Sequence, residues 1–397
     1  MEHLKSGPER GMQDSGPASL SAGQQVVCDL ILLSWNHLEE TQACLRTLFE
    51  TVRTPSRLFI VDNGSEPAVR AFLAGVRPAG VIQDVILLQN EANEGFSGGM
   101  NRGLSQSSAP FTCLLNNDLR FTEGWLEEML WLAQDPSVGL VNPASNTFGH
   151  RPARGQSFDA YWRALRERRG TCSEVGMAIG FCLLLRRDVL ARIGLLTEDV
   201  NRCFFEDEDY SMRAVAAGLR CVVAEGAYVH HTEHASVRHV PEREALFAQN
   251  QAWCNERWGR RLRVAWPRFT TPVPGSAELR AWLTRLLAWA RRRNHVYVYC
   301  PMPPGKTPEA LFRSVNLSPH SDLHWFAVPR ALARLEAVRA IVSRQRKPFD
   351  IIVAPEPGWG RVVRSLSWLH RAAVSRETDQ EGLEDLWRQR SRSPSSS

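Results

Sequence analysis

The sequence has 397 residues, more than one hydrophobic core usually organises, so we expect two domains or one large domain with an appendage. Its hydrophobic content of 43% and charged content of 23% exclude a fibrous or wholly disordered chain. The net charge of +5 is small for this length but unevenly placed, with acids near 198–209 and arginines near 257–293. We expect no nucleic-acid partner.

The cysteines and the chain ends indicate the compartment. The nine cysteines include no Cys-x-x-Cys pair, which argues against a zinc knuckle or disulfide framework and favours a reducing compartment. Residues 1–25 lack the apolar core of a signal peptide, and no later run approaches the roughly 20 apolar residues of a membrane span. We therefore expect a cytoplasmic protein with a disordered leader at 1–25 and a disordered tail at 375–397.

Apolar runs alternate with helical patterns from residue 26 onward. The continuous run at 26–34 is typical of a strand buried on both faces, and a helix at 39–52 with a strand at 58–61 completes a βαβ unit. The pattern repeats, with elements predicted at 68–74, 85–88, 93–106, 111–115, 175–185, 210–217 and 221–229. This alternation predicts an α/β domain with a mostly parallel central sheet over 26–266.

A proline-rich segment indicates a boundary after this domain. We interpret 267–293 as a linker that ends in a basic amphipathic helix at 279–293. The apolar face of this helix either packs against the first domain or lies on the inner face of an anionic membrane as a peripheral contact. Strands predicted at 296–299, 323–328 and 350–354 indicate a small α/β module at 294–374, of unknown role.

Polar side chains follow the predicted strands at the point where each strand ends. Asn36 follows the first strand, Asp62 follows the second, and Asn116, Asn117 and Asp118 follow the fourth. Ligands of open α/β sheets bind outside the carboxyl ends of the strands, so these residues should converge on one crevice. The oxygen ligands of Asn116, Asn117 and Asp118 suit Mg²⁺ or Mn²⁺, whereas an asparagine-rich turn is the structural alternative. For Asp62 the structural alternative is a βα turn closed by an Asx motif.

Three further motifs carry candidate chemistry. The glycine-containing loop at 93–103 precedes a helix whose N-terminal amides can face an anion. At 204–213 two aromatic residues precede four consecutive acids, which is costly unless the acids face solvent, a cation or a substrate that loses a proton. A helix start stabilised by its dipole is the alternative. His231 and His234, beyond the strand predicted at 221–229, are either ligands or simply solvated.

The order of these motifs resembles the family 2 glycosyltransferases of the A-type (GT-A) fold, and in particular their rhamnosyltransferase-like branch. The resemblance spans about 26–258 and rests on six ordered signals. They are Ser34-Trp35-Asn36, Asp62-Asn63-Gly64-Ser65, the loop at 93–103, Leu115-Asn116-Asn117-Asp118, Glu206-Asp207-x-Asp209-x-x-x-Arg213 and a histidine after a strand. It implies a nucleotide-diphospho-sugar transferase fold. The Gln-x-x-Arg-Trp motif of processive synthases is absent from the sequence.

The resemblance also implies roles for the matched residues. Asp62 would hold the base or ribose of the donor, and Asp207 would be the catalytic base, supported by Glu206. Asp118 would coordinate Mn²⁺ or Mg²⁺, with His231 beside the metal and diphosphate. The other matched positions would contact substrate or nucleotide or, for the last, brace the acidic loop; they are Asn36, Asn93, Gly95, Phe96, Asn101, Asn116, Asn117 and Arg213. Asparagines at two positions of the metal motif weaken binding, so the ion would bind together with the nucleotide.

The implied reaction is an inverting transfer of a sugar from a UDP- or dTDP-sugar, with dTDP-rhamnose as the first candidate, to a glycan or lipid-linked acceptor. Two other classes stay open: a catalytically silent sugar-nucleotide-binding or scaffold module, and a nucleotidyltransferase. An intact set of Asp118, Asp207 and His231 argues against the silent module. A nucleotidyltransferase would release pyrophosphate instead of a nucleoside diphosphate.

Overall fold

The structure, a computed structural model, describes residues 25–200, 204–232, 243–344 and 347–392. The leader predicted at 1–25 therefore lies outside the described residues except for its last position, and His234 lies outside them as well.

The described residues form two β-sheets with helices on their faces. The strands of the first sheet are β1 (Cys28–Ser34), β2 (Ser56–Asp62), β3 (Ile82–Gln89), β4 (Phe111–Asn116), β5 (Leu119–Phe121), β6 (Val138–Ala144), β7 (Cys172–Glu174), β8 (Cys182–Arg186) and β9 (Arg220–His231). Those of the second are β10 (Arg263–Pro267), β11 (His295–Cys300), β12 (Leu323–Ala327), β13 (Ile351–Ala354) and β14 (Ala373–Arg376).

The helices follow the strands in alternation. They are α1 (Leu38–Thr51), α2 (Pro67–Ala74), α3 (Gly95–Gln106), α4 (Trp125–Ala133), α5 (Phe158–Leu165), α6 (Arg187–Ile193), α7 (Glu206–Ala216), α8 (Arg243–Trp258), α9 (Ala277–Ala290), α10 (Pro308–Ser314), α11 (Ala333–Ser343), α12 (Pro357–Ser365), α13 (Ser367–His370) and α14 (Gln380–Arg392).

The first sheet has the strand order β3-β2-β1-β4-β8-β6-β9-β5, and β7 also pairs with β9. Its first four strands are mutually parallel, as are β6 and β9, whereas β5, β7 and β8 run antiparallel to their neighbours. The predicted α/β class with a mostly parallel central sheet is confirmed. The register sets Ser34 beside Asp62 and Leu33 beside Asn116, so the segments after these strands open on one edge.

Both faces of β1 are covered, which explains its unbroken apolar run. Leu30 and Leu32 belong to one core cluster and Ile31 to the cluster on the opposite face, and all three are fully buried. Successive side chains of a strand point to opposite faces, so a strand covered on both faces needs apolar residues at every position.

One strand prediction in the first sheet is wrong. The segment 175–185 is a loop over most of its length, with β7 before it and β8 at its end. Asn142, which is fully buried on β6, holds this loop by donating to the carbonyl oxygens of Ile179 and Cys182, at 2.7 Å each. Side-chain hydrogen bonds therefore replace strand pairing here, and Gly180 and Phe181 lie near the strand ends.

The second sheet has the order β12-β11-β10-β13-β14, with every pair parallel, as a second α/β module requires. Its beginning differs from the predicted bounds, because β10 (Arg263–Pro267) is the central strand and pairs with both β11 and β13. The predicted boundary at 266 and linker at 267–293 are therefore wrong. We call residues 263–392 the C-terminal unit.

The membrane interpretation of the helix at 279–293 is also wrong. The structure has this helix as α9, whose Trp282 and Leu283 have no exposed surface and lie in the core of the C-terminal unit. The basic residues after it, Arg291 and Arg292, pair with Glu174 and Glu384. The apolar face of α9 is thus covered by the second sheet, and Arg291 and Arg292 form ion pairs with carboxylates. None of the described helices is long and apolar enough to cross a bilayer.

The tail predicted from residue 375 contains ordered elements. β14 pairs with β13, and α14 buries Leu383 in the same core as α9. The charged, serine-rich composition hid three apolar positions of this helix, because Leu386 and Trp387 pack against the core that holds Leu383. The segment 393–397 lies outside the described residues.

The eight cysteines among the described residues are free thiols, and seven of them are buried. Cys44 and Cys221 lie in the two cores of the first sheet, and Cys300 lies in the core of the C-terminal unit. Desolvation raises the pKa of Cys221 and of Cys300 to about 12. These thiols are packing residues, in agreement with the absence of a disulfide framework.

Candidate functional site

The turn after β1 connects three strand ends. Asn36 and His37 are both left-handed, with φ of 57° and 54°. The Asn36 amide nitrogen donates to Ser65 Oγ at 3.1 Å, and Asn36 Oδ1 accepts from the Glu66 amide at 2.9 Å. Asn117 Nδ2 donates to Thr41 Oγ1 at 2.8 Å, so the segment after β4 is attached to the start of α1. Asn36 and Asn117 therefore fix the crevice edge that the sequence predicted.

Asp62 has no exposed surface. Its Oδ1 accepts from the Ser65 amide at 2.9 Å, and its Oδ2 lies 3.6 Å from Arg70 Nε. This is the turn-closing arrangement that the sequence offered as the structural alternative. The role of Asp62 toward a nucleotide base stays a prediction.

Asn63 connects this turn to the loop before α3. Its Nδ2 donates to Asn93 Oδ1 and to the Gly95 carbonyl, both at 3.0 Å, and its Oδ1 accepts from Asn90 Nδ2 at 2.8 Å. Beside it, Gly64 has φ of 78°, and a Cβ there would lie 2.6 Å from the Ala92 carbonyl carbon. The glycine is therefore required by both conformation and space.

Asp118 and His231, predicted as metal ligands, lie together at the strand ends. β5 pairs antiparallel with β9 and sets Leu119 opposite His231, so the preceding Asp118 reaches the imidazole. His231 Nε2 is 3.3 Å from Asp118 Oδ1, and the two side chains are 15% and 12% exposed. A carboxylate and an imidazole at this separation can bind one divalent ion and leave its other positions for oxygen ligands.

Three residues that the sequence analysis missed orient His231. Asn146 donates to the His231 carbonyl at 2.7 Å and accepts from its amide at 2.9 Å. Thr147 Oγ1 lies 3.0 Å from His231 Nδ1, and an Nδ1–H donated to that hydroxyl leaves Nε2 facing Asp118. Phe181 stacks on the imidazole with a centroid distance of 5.0 Å. The sequence signal for Asn146 and Thr147 was the polar triplet 145–147 directly after the buried strand β6, which is the same strand-end pattern that identified Asp118.

The acidic segment forms the first turn of α7. The two residues before it, Phe204 and Phe205, are left-handed with φ of 72° and 73°, an uncommon conformation for bulky side chains that stores strain near functional sites. Desolvation, followed by the charge of Asp207, raises the pKa of Glu206 to about 8. Desolvation raises the pKa of Asp207 to about 6, opposed by the Gly180 amide. The two carboxyls interact, so they titrate as a pair.

Gly180 lies between Phe96, at the start of α3, and Asp207, in the first turn of α7. A Cβ at this position would lie 2.5 Å from Phe96 Cζ and 2.8 Å from Asp207 Oδ1, so both groups rest on the glycine. The next residue, Phe181, stacks on His231. Asp207 and Phe96 thus lie against Gly180, and His231, the partner of Asp118, lies against the adjacent Phe181. A carboxylate with a raised pKa can take a proton from a bound hydroxyl.

Two predicted site residues, Asn101 and Arg213, bind protein groups through their side chains, and Asn116 does so through its backbone. Asn101 donates to the Leu196 carbonyl at 2.9 Å and accepts from its amide, also at 2.9 Å. The Asn116 backbone N–H donates to the Phe181 carbonyl at 2.8 Å. Arg213 Nε donates to Asp209 Oδ2 at 2.8 Å, and its Nη1 donates to the Leu195 carbonyl at 2.7 Å. These contacts hold the loop around α7.

A second group of possible metal ligands lies in the C-terminal unit. Donor atoms of His295, Asp322 and His324 all fall within 4.8 Å of one another. They lie at the start of β11 and β12, outside the crevice of the first sheet. The positive charges of Arg263 and Arg344 act on His324, which opposes a cation there. We assign the metal role to Asp118 and His231 only as a proposal, below.

Comparison with known proteins identifies the first part of the chain. Residues 29–194 match the sequence model of the family described as Glycosyl transferase family 2. Together with the mostly parallel sheet, the match agrees with the GT-A fold that the sequence resemblance implied.

Two curated relatives carry glycosyltransferase names. The pre-mycofactocin glycosyltransferase of Mycobacterium tuberculosis is 28% identical over 250 residues, 60% of this chain and 49% of that protein. The low-salt glycan biosynthesis hexosyltransferase Agl10 of Haloferax volcanii is 22% identical over 203 residues, 48% of this chain and 63% of that protein. The chain thus spans less than two thirds of either relative.

Likeness to solved structures is weaker. The crystal structure of S. aureus TarS 1–349 in complex with UDP-GlcNAc aligns at 14% identity with a TM-score of 0.45, over 59% of this chain and 66% of that chain. At this level the likeness supports no argument about the ligand.

Proposed function

We propose that this chain is an inverting glycosyltransferase that moves a sugar from a nucleotide diphosphate to a hydroxyl of a glycan or lipid-linked acceptor. The observation that carries the proposal is that Asp207 lies against Gly180 while His231, paired with Asp118, stacks on the next residue, Phe181, in a chain whose residues 29–194 match the family 2 model. The resemblance of the motifs to the rhamnosyltransferase-like branch makes dTDP-rhamnose the first donor to test.

The proposed reaction is one in-line displacement. The acceptor oxygen forms a bond to the anomeric carbon on the face opposite the diphosphate, while the bond from that carbon to the phosphate oxygen breaks. The acceptor proton passes to the Asp207 carboxylate, and the nucleoside diphosphate leaves with the bonding electron pair. Attack from the opposite face inverts the anomeric configuration.

The raised pKa values suit this division of roles. A base is most effective when its pKa lies near the working pH, and the pKa of Asp207, about 6, leaves it ionised at neutral pH. The pKa of the neighbouring Glu206 is raised to about 8, and because the two carboxyls titrate as a pair, the pair would hold one proton at neutral pH. The pair could therefore both donate a hydrogen bond and accept a proton.

Asp118 and His231 fit a divalent cation, because an anionic oxygen and an imidazole nitrogen lie 3.3 Å apart and Thr147 contacts the other ring nitrogen. Mn²⁺ or Mg²⁺ held by these residues would neutralise charge on the departing diphosphate. Since the chain offers one carboxylate at this pair, we expect the diphosphate oxygens to complete the coordination.

A thermal-shift screen of sugar nucleotides with and without Mn²⁺ tests donor binding. A ligand that binds only the folded state raises the apparent stability by RT ln(1 + [L]/Kd), about 2.7 kcal/mol at 100 times Kd. We expect the stabilisation by a dTDP- or UDP-sugar to increase with Mn²⁺. The absence of stabilisation by any sugar nucleotide, with or without metal, would contradict the proposal.

Release of nucleoside diphosphate tests turnover. Asp207→Asn should retain donor-dependent stabilisation and lose turnover by about 100-fold or more, because general-base catalysis contributes roughly 10²–10⁴-fold. Asp188→Asn is the matched control, since Asp188 is exposed on α6 and its ion-pair partner among the described residues is Arg186. Donor binding without turnover by the wild type would indicate the silent module, and release of pyrophosphate would indicate a nucleotidyltransferase.

A further inference from the structure

The four acids at the start of α7 divide into two pairs with different surroundings. No ion pair reaches Glu206 or Asp207 from the parts of the chain that the structure describes. Glu208 and Asp209, in contrast, are buried to 2% and 0% exposure and each contacts more than one cationic side chain. The acids that follow the proposed base are therefore anchored, whereas the base and its neighbour are not.

Glu208 is anchored by an arginine of the C-terminal unit. Arg293, in the turn between α9 and β11, donates from Nε to Glu208 Oε1 at 2.7 Å, and both side chains are 2% exposed. The same guanidinium donates to the Gly259 carbonyl and lies 3.4 Å from Asn255 Oδ1. Arg261 donates to the same carboxylate oxygen from Nε at 2.9 Å. An uncommon backbone conformation, φ of 68°, accompanies this placement of Arg293.

Asp209 is anchored by the end of α8. Trp258 Nε1 donates to Asp209 Oδ1 at 2.9 Å, and Arg257 Nε lies 3.1 Å from the same oxygen. Arg213, one turn further along α7, binds the other oxygen at 2.8 Å. Since α8 leads directly into β10, this second anchor also lies where the chain enters the C-terminal unit.

The start of α7 depends on such anchors because its own cap is weak. Phe205 is the N-cap residue, is left-handed, and offers no side-chain hydrogen bond to the first turn. A helix start without a side-chain cap frays unless other contacts hold it. Charge-assisted hydrogen bonds from Arg293 to Glu208 and from Trp258 to Asp209 supply those contacts one and two residues after the proposed base.

We propose that the C-terminal unit positions the catalytic helix, with Arg293 as the principal positioning residue for Asp207. The proposal rests on the proposed function in one respect, that Asp207 is the base. It assigns a role to the C-terminal unit. The turn between α9 and β11 fixes the orientation and position of the first turn of α7, so that Asp207 contacts the acceptor beside Gly180.

The test compares two neighbouring arginines of the same turn. Arg293→Met removes the bond to Glu208, whereas Arg291→Met removes an ion pair with Glu174, which lies outside α7. We expect Arg293→Met to lower kcat about 10- to 100-fold with donor affinity within about twofold of wild type, because small misplacement of a catalytic group costs roughly that much. Arg291→Met should leave both quantities near wild type. Equal losses in the two variants would overturn the proposal.

A second pair of variants separates positioning from the cost of leaving buried Glu208 with Arg261 as its remaining cationic partner. In the double variant Glu208→Gln with Arg293→Met neither member of the buried pair stays charged, so the protein should fold even if Arg293→Met alone does not. We expect kcat of the double variant to stay about 10-fold or more below wild type, and Arg293→Lys to recover part of the loss. Wild-type kcat in the double variant would show that Arg293 serves stability alone.

Hydrogen exchange supplies a readout that needs no activity. If Arg293 holds the start of α7, the backbone amides of 206–216 should exchange faster in Arg293→Met than in Arg291→Met, while those of β1 should be unchanged in both. Unchanged exchange over 206–216 would refute the positioning role. An inactive wild type with the expected exchange would refute the proposed function and leave the coupling between the two units established.

Discussion

Gly180→Ala should disable the site without disturbing the fold. Gly180 is not among the glycines with positive φ, so its backbone accepts alanine. The added Cβ would lie 2.5 Å from Phe96 Cζ and 2.8 Å from Asp207 Oδ1, where ordinary contact begins at 3.4 Å. The ring must therefore retreat by about 0.9 Å and the carboxylate by about 0.6 Å. Displacement of a reacting group on the order of 1 Å costs roughly 100-fold in rate.

The assay is steady-state release of nucleoside diphosphate, with the denaturation midpoint measured in parallel. Overpacking costs about 1–3 kcal/mol, so most of the folded population should survive. Gly358→Ala is the matched control, because a Cβ there has no heavy atom within 4 Å and the residue is also free of positive φ. Turnover within about threefold of wild type in Gly180→Ala would refute the placement of Asp207 and Phe96 against this glycine.

Four other predictions concern the Asp118–His231 pair, the two carboxyls of α7 and the burial of α9. Asp118→Ala and His231→Ala should each remove the Mn²⁺-dependent part of donor stabilisation in the thermal-shift assay, and EDTA should inactivate the wild type; full activity in chelator would exclude the pair as a metal site. Turnover should rise with pH through about 6 as Asp207 ionises. The pKa of Glu206 is raised from 4.5 to about 8, so in the folded state this carboxyl holds a proton that the unfolded chain releases. The free energy of unfolding should therefore fall as pH rises between these two values. Glu206→Gln should flatten that decline in urea titrations. Trp282→Ala should cost about 3–5 kcal/mol in the same titrations, whereas tolerance would mean that α9 lies on the surface.

The proximity of Asp118 and His231 follows from a rule of parallel sheets that applies to both residues. Asp118 follows β4 and His231 ends β9, and polar residues at strand ends converge when the strands share a sheet. The distance between them depends on β5 pairing with β9, which brings together residues more than 100 positions apart. Local patterns carry no record of such a pairing. The sequence therefore indicates the edge of the sheet but not which residues touch.

The C-terminal unit was harder to delimit for a related reason. β10 is a short run next to prolines, and only its pairing with β11 and β13 distinguishes it from a loop. The apolar face of α9 is equally suited to a bilayer or to a sheet, so the choice between them depends on what covers it. Likewise, Glu208 and Arg293 are 85 residues apart, and nothing in either local sequence indicates a partner.

Free thiols are buried beside both sheets, so their reaction rates can report local opening of each core. A thiol reagent can modify Cys221 or Cys300 only after the surrounding core separates, because the thiolate that reacts is suppressed by burial. Labelling rates at the two positions, followed by peptide mass spectrometry, would thus time the opening of each core separately. Equal rates would mean that the two sheets open as one cooperative body; a faster rate at Cys300 would mean that the second sheet can detach while the first stays closed.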